Sequence, residues 1–482
     1  MDLVQDLLSK SSHELNSPQF AALLAERAGP TGHAREAFQL PKKKDMGASL
    51  GDLDEPCVYM AGNSLGLQPT LARELIQQEM DVWSSKAVLG HFDHPHDRPW
   101  KSIDDKVVPA LKAVVGASTE SEVACTSTLT SNLHNLFVTF FRPEGKRTKI
   151  LVEGKAFPSD QYAVQSQLDL HSLDSLSLIE LFPREGEGNL RTEDILSVIE
   201  EQGDEIALVW LSGVQYYTGQ VFDMESIAKA GKTKNCIVGF DLAHAVGNVP
   251  LKLHDWNVDF AVWCSYKYLN SGPGAVGGMF VHSKWDEAKL PRLSGWWGHD
   301  KTTRFTMPST FKPIAGAQGY QHSNPPLLSL IPLIASLETL NKAGGLPAVR
   351  IRSTLLTGYL LLLLRSSKFF LAENAKEDKG REVKIGFAIL TPENEQERGA
   401  QLSLKIVGRG GREGGGMKRV FEGLVRRGVV GDEREPEVIR ISPIPLYNTF
   451  EDVRQVVSAL DKSLEEESQG IERQSVDMIE TS

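Results

Sequence analysis

A chain of 482 residues with 41% hydrophobic and 24% charged side chains has the composition of an ordinary folded protein, and it is too long for one small core. Its formal net charge of −11 excludes a nucleic acid or an anionic membrane as the expected partner, because both select a basic face. The four cysteines (Cys57, Cys125, Cys236, Cys264) are scattered without a CxxC pair, so free thiols are expected in place of a disulfide framework or a metal centre.

The first residues, MDLVQDLLSK, place acids early and lack the basic-then-apolar order of a signal peptide, which with the free thiols predicts a cytoplasmic protein. Residues 1 to about 55 combine a short amphipathic stretch with the connector PKKKDMGASLGD and read as an N-terminal arm; 1–95 are assigned to this arm and part of a small domain. From about 100 to 300, helical and extended patterns alternate. Helices are expected over SIDDKVVPALKAVV and over TSNLHNLFVTFF, where Leu133, Leu136, Phe137 and Phe140 keep the spacing of one face. Strands are expected over TKILVE (148–153), EIALVWLS (205–212), CIVGFDLA (236–243), DFAVWC (259–264) and GAVGGMFVH (274–282). Short, almost continuous apolar runs between helices predict a mostly parallel sheet covered on both faces, in a large domain over 96–335.

Beyond Pro325-Pro326 the pattern turns helical in LLSLIPLIASLETLNKAGG, with glycine just past its end. A smaller C-terminal α/β domain is expected over 336–465, with a glycine-rich interruption (GRGGREGGG) inside 372–438 expected to be a mobile loop. The longest apolar run, Tyr359 to Leu364 with its neighbours, falls short of the roughly 20 residues that cross a bilayer, so no membrane span is expected. In TFEDVRQVVSALDKSL, Thr449 and Asp452 form a capping pair, and the polar residues 466–482 are expected to be a disordered tail.

The chemistry concentrates in VGFDLAHAVGN and DFAVWCSYKYLNSGPGAVGG. Asp241 ends one apolar run, with His244 three residues on; Lys267 follows another run, 26 residues after Asp241. In a parallel α/β sheet, ligands sit outside the carboxyl ends of the strands. An acid and a lysine placed there are the pair that pyridoxal phosphate (PLP) needs: the lysine joins the aldehyde, and the carboxylate keeps the pyridine nitrogen protonated so that the ring accepts electrons. Taken separately, a loop lysine and a capping aspartate are unremarkable; together, beside Ser265, Tyr266 and a glycine turn, they point to the cofactor. STLTSNLH sets Thr128, Leu129 and Thr130 just before an amphipathic helix, where free N–H groups and the dipole favour a phosphate. AFPSDQYA offers Phe157 as a flat face for a ring, with Ser159 and Asp160 opening the next helix. Gly272, Gly274 and Gly277 match GxGxxG but lead into an extended run, so a dinucleotide site is not expected.

Over about residues 55 to 455 the sequence resembles kynureninase. YMAGNSLGLQP, GHFDHPHDRPW, TLTSNLH, AFPSDQYA, SGVQYYTGQ, GFDLAHAVGN, WCSYKYLNSGPG, GWWGHDKTTRF, SNPP and ISPIPLYNTF carry the resemblance. It implies PLP fold type I, the aspartate-aminotransferase-like architecture of a large domain and a smaller C-terminal domain, in a homodimer with shared active sites. It also implies that Lys267 carries the cofactor, Asp241 meets the pyridinium, His244 lies near the ring and Phe157 stacks on it. Leu129, Thr130, Pro158, Ser159, Asp160, Ser212, Tyr266, Trp296 and Asn324 would complete the cofactor site, the last two from the neighbouring subunit. Arg440 would clamp the substrate carboxylate, Ser64, His91 and Asn324 would face its aromatic end, and Tyr266 would serve as a general acid. GWWGH carries a second tryptophan, Trp297, so the choice between Trp296 and Trp297 stays open, and 372–438 has no clear match. The implied reaction is hydrolysis of L-kynurenine or its 3-hydroxy derivative to an anthranilate and L-alanine. A class V aminotransferase or a cysteine desulfurase shares the fold, yet no cysteine follows Cys264 to act as a desulfurase nucleophile. A non-catalytic scaffold of this fold would have no need of Lys267, Asp241 and Arg440 together.

Overall fold

Residues 2–371, 384–410 and 414–470 are described in a computed structural model, and they fall into two units. One unit comprises Pro69–Tyr216 and Val221–Asn341; the other comprises Met1–Gln68, Tyr217–Gln220 and Lys342–Ser482. Boundaries expected at 95 and 335 thus lie at 68 and 341, and the four-residue return 217–220 was not anticipated. Residues 411–413 of the expected mobile loop, 372–383 of the segment that contains it and 471–482 of the expected tail lie outside the described residues.

The unit that begins at Pro69 is built on seven strands: β1 (Val123–Cys125), β2 (Lys149–Glu153), β3 (Leu178–Leu181), β4 (Ile206–Ser212), β5 (Ile237–Asp241), β6 (Phe260–Cys264) and β7 (Gly277–Val281). Their order in the sheet is β1-β7-β6-β5-β4-β2-β3. Only β7 runs against its neighbours, so the carboxyl ends of the other six share one edge. The helices that matter for the site are α1 (Thr70–Lys86), α2 (Leu129–Phe140) and α3 (Pro158–Leu170). On α2 the expected apolar face is the buried one: Phe140 stacks on Phe260 with ring centroids 4.9 Å apart, and Phe260 stacks in turn on Trp210. The long helix expected over SIDDKVVPALKAVV is two pieces, 3-10 turns over Trp100–Lys106 and a helix over Val108–Val115. Pro109 has no N–H to give and fits only a first turn, so the helix restarts there. β1 and β3 escaped the sequence reading because one is three residues long and the other is only partly buried at the sheet edge.

In the other unit a four-stranded antiparallel sheet runs Asp432–Arg434, Val438–Ile441, Leu402–Val407 and Gly386–Ile389, and Val58–Tyr59 pairs in parallel with Val429–Val430. The expected N-terminal arm contains helices Asp2–Lys10 and Pro18–Ala28 and belongs to this unit. Val4, Phe20, Ala21 and Leu24 are buried in the same core as Tyr359, Leu360 and Phe450. Helix Gly345–Ser366 is 22 residues long and, by length and composition, apolar enough to cross a membrane, contrary to the expectation from the short run Tyr359 to Leu364. Leu356, Leu360, Leu361, Leu363 and Leu364 are nonetheless buried in this core, which accounts for their hydrophobicity. The last helix, Phe450–Ser468, starts in the expected capping box of Thr449 and Asp452 and runs past the expected boundary at 465.

Candidate active site

One cavity lies at the shared strand edge, lined entirely by the unit that carries the seven-stranded sheet. Glu153 ends β2, Ser212 ends β4 and Asp241 ends β5; Tyr266 and Lys267 follow β6, while Leu129 and Thr130 open α2 just after β1. Neighbouring strands hold the polar ends level, with Ser212 in register with Asp241. Phe157, Ser159 and Asp160 come from the cap and first turn of α3. The close seat of α2 depends on Gly277, because a Cβ there would stand 2.8 Å from the carbonyl carbon of Thr128 and 2.9 Å from the amide of Leu129.

The Lys267 Nζ lies 2.8 Å from Nε2 of His244, which is itself buried. Asp241 accepts the Ala243 N–H at 2.8 Å and is hydrogen-bonded to Asp160. Burial pushes both carboxyls up, Asp160 well above its usual range with Asp241 as the next cause. Asp160 therefore keeps a proton and donates it to Asp241, whose own charge is further favoured by the Ala243 amide and by Lys267. Glu153, also buried, accepts from Ser212 Oγ at 2.6 Å, and burial with Asp241 nearby raises it to about 7. Burial likewise pushes the Tyr266 phenol up, with Cys264 as the second cause, so it stays protonated at neutral pH.

These donors suit PLP. The first-turn N–H groups of α2 have no intrahelical acceptors, and Thr128 makes no side-chain bond to them, so they are available to a phosphate. A charged Asp241, backed by a protonated Asp160, matches a pyridinium, and Lys267 matches an aldehyde. Oε2 of Glu153 and Oδ1 of Asp160 are buried without a partner among the described residues, as expected at a polar site built for a ligand.

Of the expected cofactor residues, Leu129, Thr130, Phe157, Ser159, Asp160, Ser212, Asp241, His244, Tyr266 and Lys267 meet at this cavity. Pro158 opens α3 without lining it, and Phe157 is 44% exposed with its ring edge-on to Tyr216 at 5.3 Å. Trp296, Asn324 and His91 belong to the same unit but do not line the cavity; Ser64 and Arg440 belong to the other unit. Trp296 is 43% exposed, whereas Trp297 is buried with the Arg304 guanidinium over its ring and its Nε1 on Asp104 at 3.2 Å. Only Trp296 is therefore available to a ligand or a partner. Asn324 is exposed, and Arg440 is buried with its guanidinium 2.7 Å from Asp432. The sequence reading missed Glu153, Val214, Tyr216 and Ala243. For Glu153 the signal was present: an acid ending an apolar run, as Asp241 does.

Away from the cavity, Glu122, His254 and His282 bring ligand-type atoms within 4.8 Å of one another. The carboxylate of Glu122 is already engaged by the Ser118 and Ser283 amides and by His254, and the His254 and His282 rings are stacked with centroids 4.5 Å apart.

Residues 349–460 match the family described as the kynureninase C-terminal domain. The chain is 49% identical to the kynureninase of Yarrowia lipolytica, a match covering 89% of this chain and 97% of that one. It is 48% identical to the kynureninase of Nematostella vectensis, over 95% of this chain and 96% of that one, and 46% identical to that of Mus musculus, over 96% and 98%. Among solved structures, a C-DES mutant with glycine covalently linked to its PLP cofactor superposes with a TM-score of 0.66 at 16% identity, covering 84% of this chain and 96% of that one. The cysteine desulfurase CsdA of Escherichia coli gives a TM-score of 0.66 at 16% identity, over 89% and 97%. At such identities these two speak for the fold alone: PLP fold type I, with the mostly parallel sheet and smaller C-terminal domain described above.

Proposed function

The chain belongs to the kynureninase family, and from that premise we propose that the cavity beside Lys267 is the active site of a PLP-dependent hydrolase. The reaction adds water across the Cβ–Cγ bond of L-kynurenine or 3-hydroxy-L-kynurenine, giving the anthranilate and L-alanine in tryptophan degradation. When bound, PLP supplies an electron sink for the carbanion character that develops on the amino-acid portion. Lys267 is the attachment point and the base that moves the α-proton, and His244, 2.8 Å away, orients its amine. Asp241, with Asp160 donating to it, holds the proton of the ring nitrogen. The first turn of α2 takes the phosphate, and Phe157 covers the ring face. The phenol of Tyr266 stays protonated at neutral pH and delivers a proton to Cβ as the bond breaks. The observation that carries this reading is the meeting of Lys267, His244, the Asp241–Asp160 pair and the open first turn of α2 at one strand edge. Purified, PLP-loaded protein given L-kynurenine or 3-hydroxy-L-kynurenine is expected to release the matching fluorescent anthranilate and alanine in equal amounts; loaded protein that releases neither product from either substrate refutes the assignment.

Arg440, its fork held by Asp432, binds the substrate carboxylate, and Ser64, His91 and Asn324 meet the aromatic end; these roles rest on the family resemblance. His91 Nδ1 lies 3.1 Å from the Val88 carbonyl, so Nδ1 carries the proton and Nε2 is left as an acceptor. An acceptor at the ring end favours 3-hydroxykynurenine, whose phenol can donate to it. The working form is a homodimer in the cytoplasm, with Trp296 and Asn324 serving the neighbouring subunit's site. Supporting this, Trp83, Val88, Leu89, Phe92, Trp296 and Phe305 are all large apolar side chains left exposed in the same unit, and the four cysteines are free thiols.

A further inference from the structure

We infer that Glu79 is a positioning residue for substrate selection: its buried carboxylate ties the loop 90–100 to α1 and thereby holds His91 in place. The inference rests on the reading that His91 meets the ring end of the substrate.

Glu79 projects from α1 with its side chain fully buried. All three of its close partners come from one short loop: His94 Nε2 at 3.0 Å, Arg98 Nε at 2.7 Å and Trp100 Nε1 at 2.8 Å. His94 Nδ1 accepts the His96 amide, so the proton sits on Nε2 and is donated to Glu79; burial holds His94 below its usual value and keeps it neutral. Arg98 thus supplies the balancing charge, and its second arm reaches Gln78 of the same helix at 2.7 Å. A loop that contains Pro95 and Pro99 has few backbone bonds with which to hold a shape, and a buried carboxylate with three charge-assisted donors replaces them. The connection to His91 runs through Trp100. The indole stands edge-on to the His91 ring, with centroids 5.3 Å apart, and it lies so close to Gly90 that a Cβ there would be 2.7 Å from it. Fixing the indole N–H fixes the wall against which His91 rests.

The test compares kcat/KM for 3-hydroxykynurenine and kynurenine, per PLP-loaded site, in wild type, His91→Phe, Glu79→Gln, Trp100→Phe and the double variant His91→Phe/Glu79→Gln. A purely structural role would reduce the amount or thermal stability of loaded enzyme without changing the ratio between two substrates. The wild type is expected to prefer the hydroxylated substrate. Glu79→Gln and Trp100→Phe are each expected to lower that preference about tenfold, chiefly through KM, and adding Glu79→Gln to His91→Phe should change it no further. If His91→Phe abolishes the preference while Glu79→Gln and Trp100→Phe leave it intact, the role of Glu79 is overturned and that of His91 stands. A wild type without preference, or one whose preference survives His91→Phe, overturns both. Should Glu79→Gln fail to fold, Trp100→Phe decides, since it keeps an aromatic ring beside His91 but has no N–H to give Glu79 and a smaller wall beside Gly90.

Discussion

Three buried carboxyls share the cavity, and they differ in what surrounds them. Asp241 has an amide, a proton from Asp160 and Lys267 to favour its charge; Glu153 has one hydroxyl. Replacing Asp241 with alanine removes the proposed partner of the ring nitrogen while leaving the first turn of α2, the proposed phosphate site, intact. Turnover is expected to fall by about 100-fold or more while most of the PLP remains, as read from the absorbance of bound cofactor and from anthranilate release. Glu153→Gln addresses the other extreme. The folded protein holds this proton up to about pH 7, against an ordinary value of 4.5, so the folded state binds it more tightly than the unfolded chain does. Stability of the cofactor-free protein from this group is present below the unfolded value and is lost as pH rises through 7, by at most about 3 kcal/mol. The Tm of cofactor-free Glu153→Gln is expected to fall less than that of wild type between about pH 5 and 8. Parallel curves would mean that Glu153 is charged in both states.

At the scale of elements, the site depends on where helices begin. The seat of α2 against β7 leaves no space beside Gly277, so Gly277→Ala displaces the turn proposed to bind the phosphate. The Kd for PLP is expected to rise about tenfold, measured by equilibrium dialysis, with a smaller effect on the protein's own unfolding. At the last helix, the Thr449 hydroxyl accepts the Asp452 amide at 3.0 Å and the Asp452 carboxylate returns the bond to the Thr449 amide. Thr449→Ala should lower stability by about 1 kcal/mol in denaturant unfolding and leave kcat unchanged. Both starts were readable in advance: TSNLHNLF by its apolar spacing, TFEDV by its reciprocal cap. The break at Pro109 was not read as one, because the apolar spacing continues on either side of the proline.

For the whole molecule, the exposed apolar side chains near His91 set the expectation. Leu89 is 60% exposed and Trp83 equally so, on a chain whose net charge of −11 otherwise favours solubility. Leu89→Asp places a charge on this patch at little cost to the folded subunit and is expected to shift sedimentation from dimer toward monomer. Activity should fall in parallel if Trp296 and Asn324 serve the neighbouring subunit's site as proposed. A variant that stays dimeric puts the interface on another face.

The sequence alone determined the chemistry that depends on residue type and short spacing. The pair Asp241 and Lys267, the helix over TSNLHNLFVTFF and the strands beside them were legible because each lies on one continuous stretch whose periodicity betrays its burial. The tertiary structure decided what depends on distance between stretches. Only it made Glu153 a neighbour of Asp241, tied Glu79 to Trp100, separated an exposed Trp296 from a buried Trp297, and folded the N-terminal helices into the core with Tyr359. A carboxylate at the end of an apolar run looks the same in sequence whether it caps a turn or faces a ligand. The difference lies in which strand ends are brought level beside it, and strand order in a sheet is set by long-range packing that no local pattern encodes.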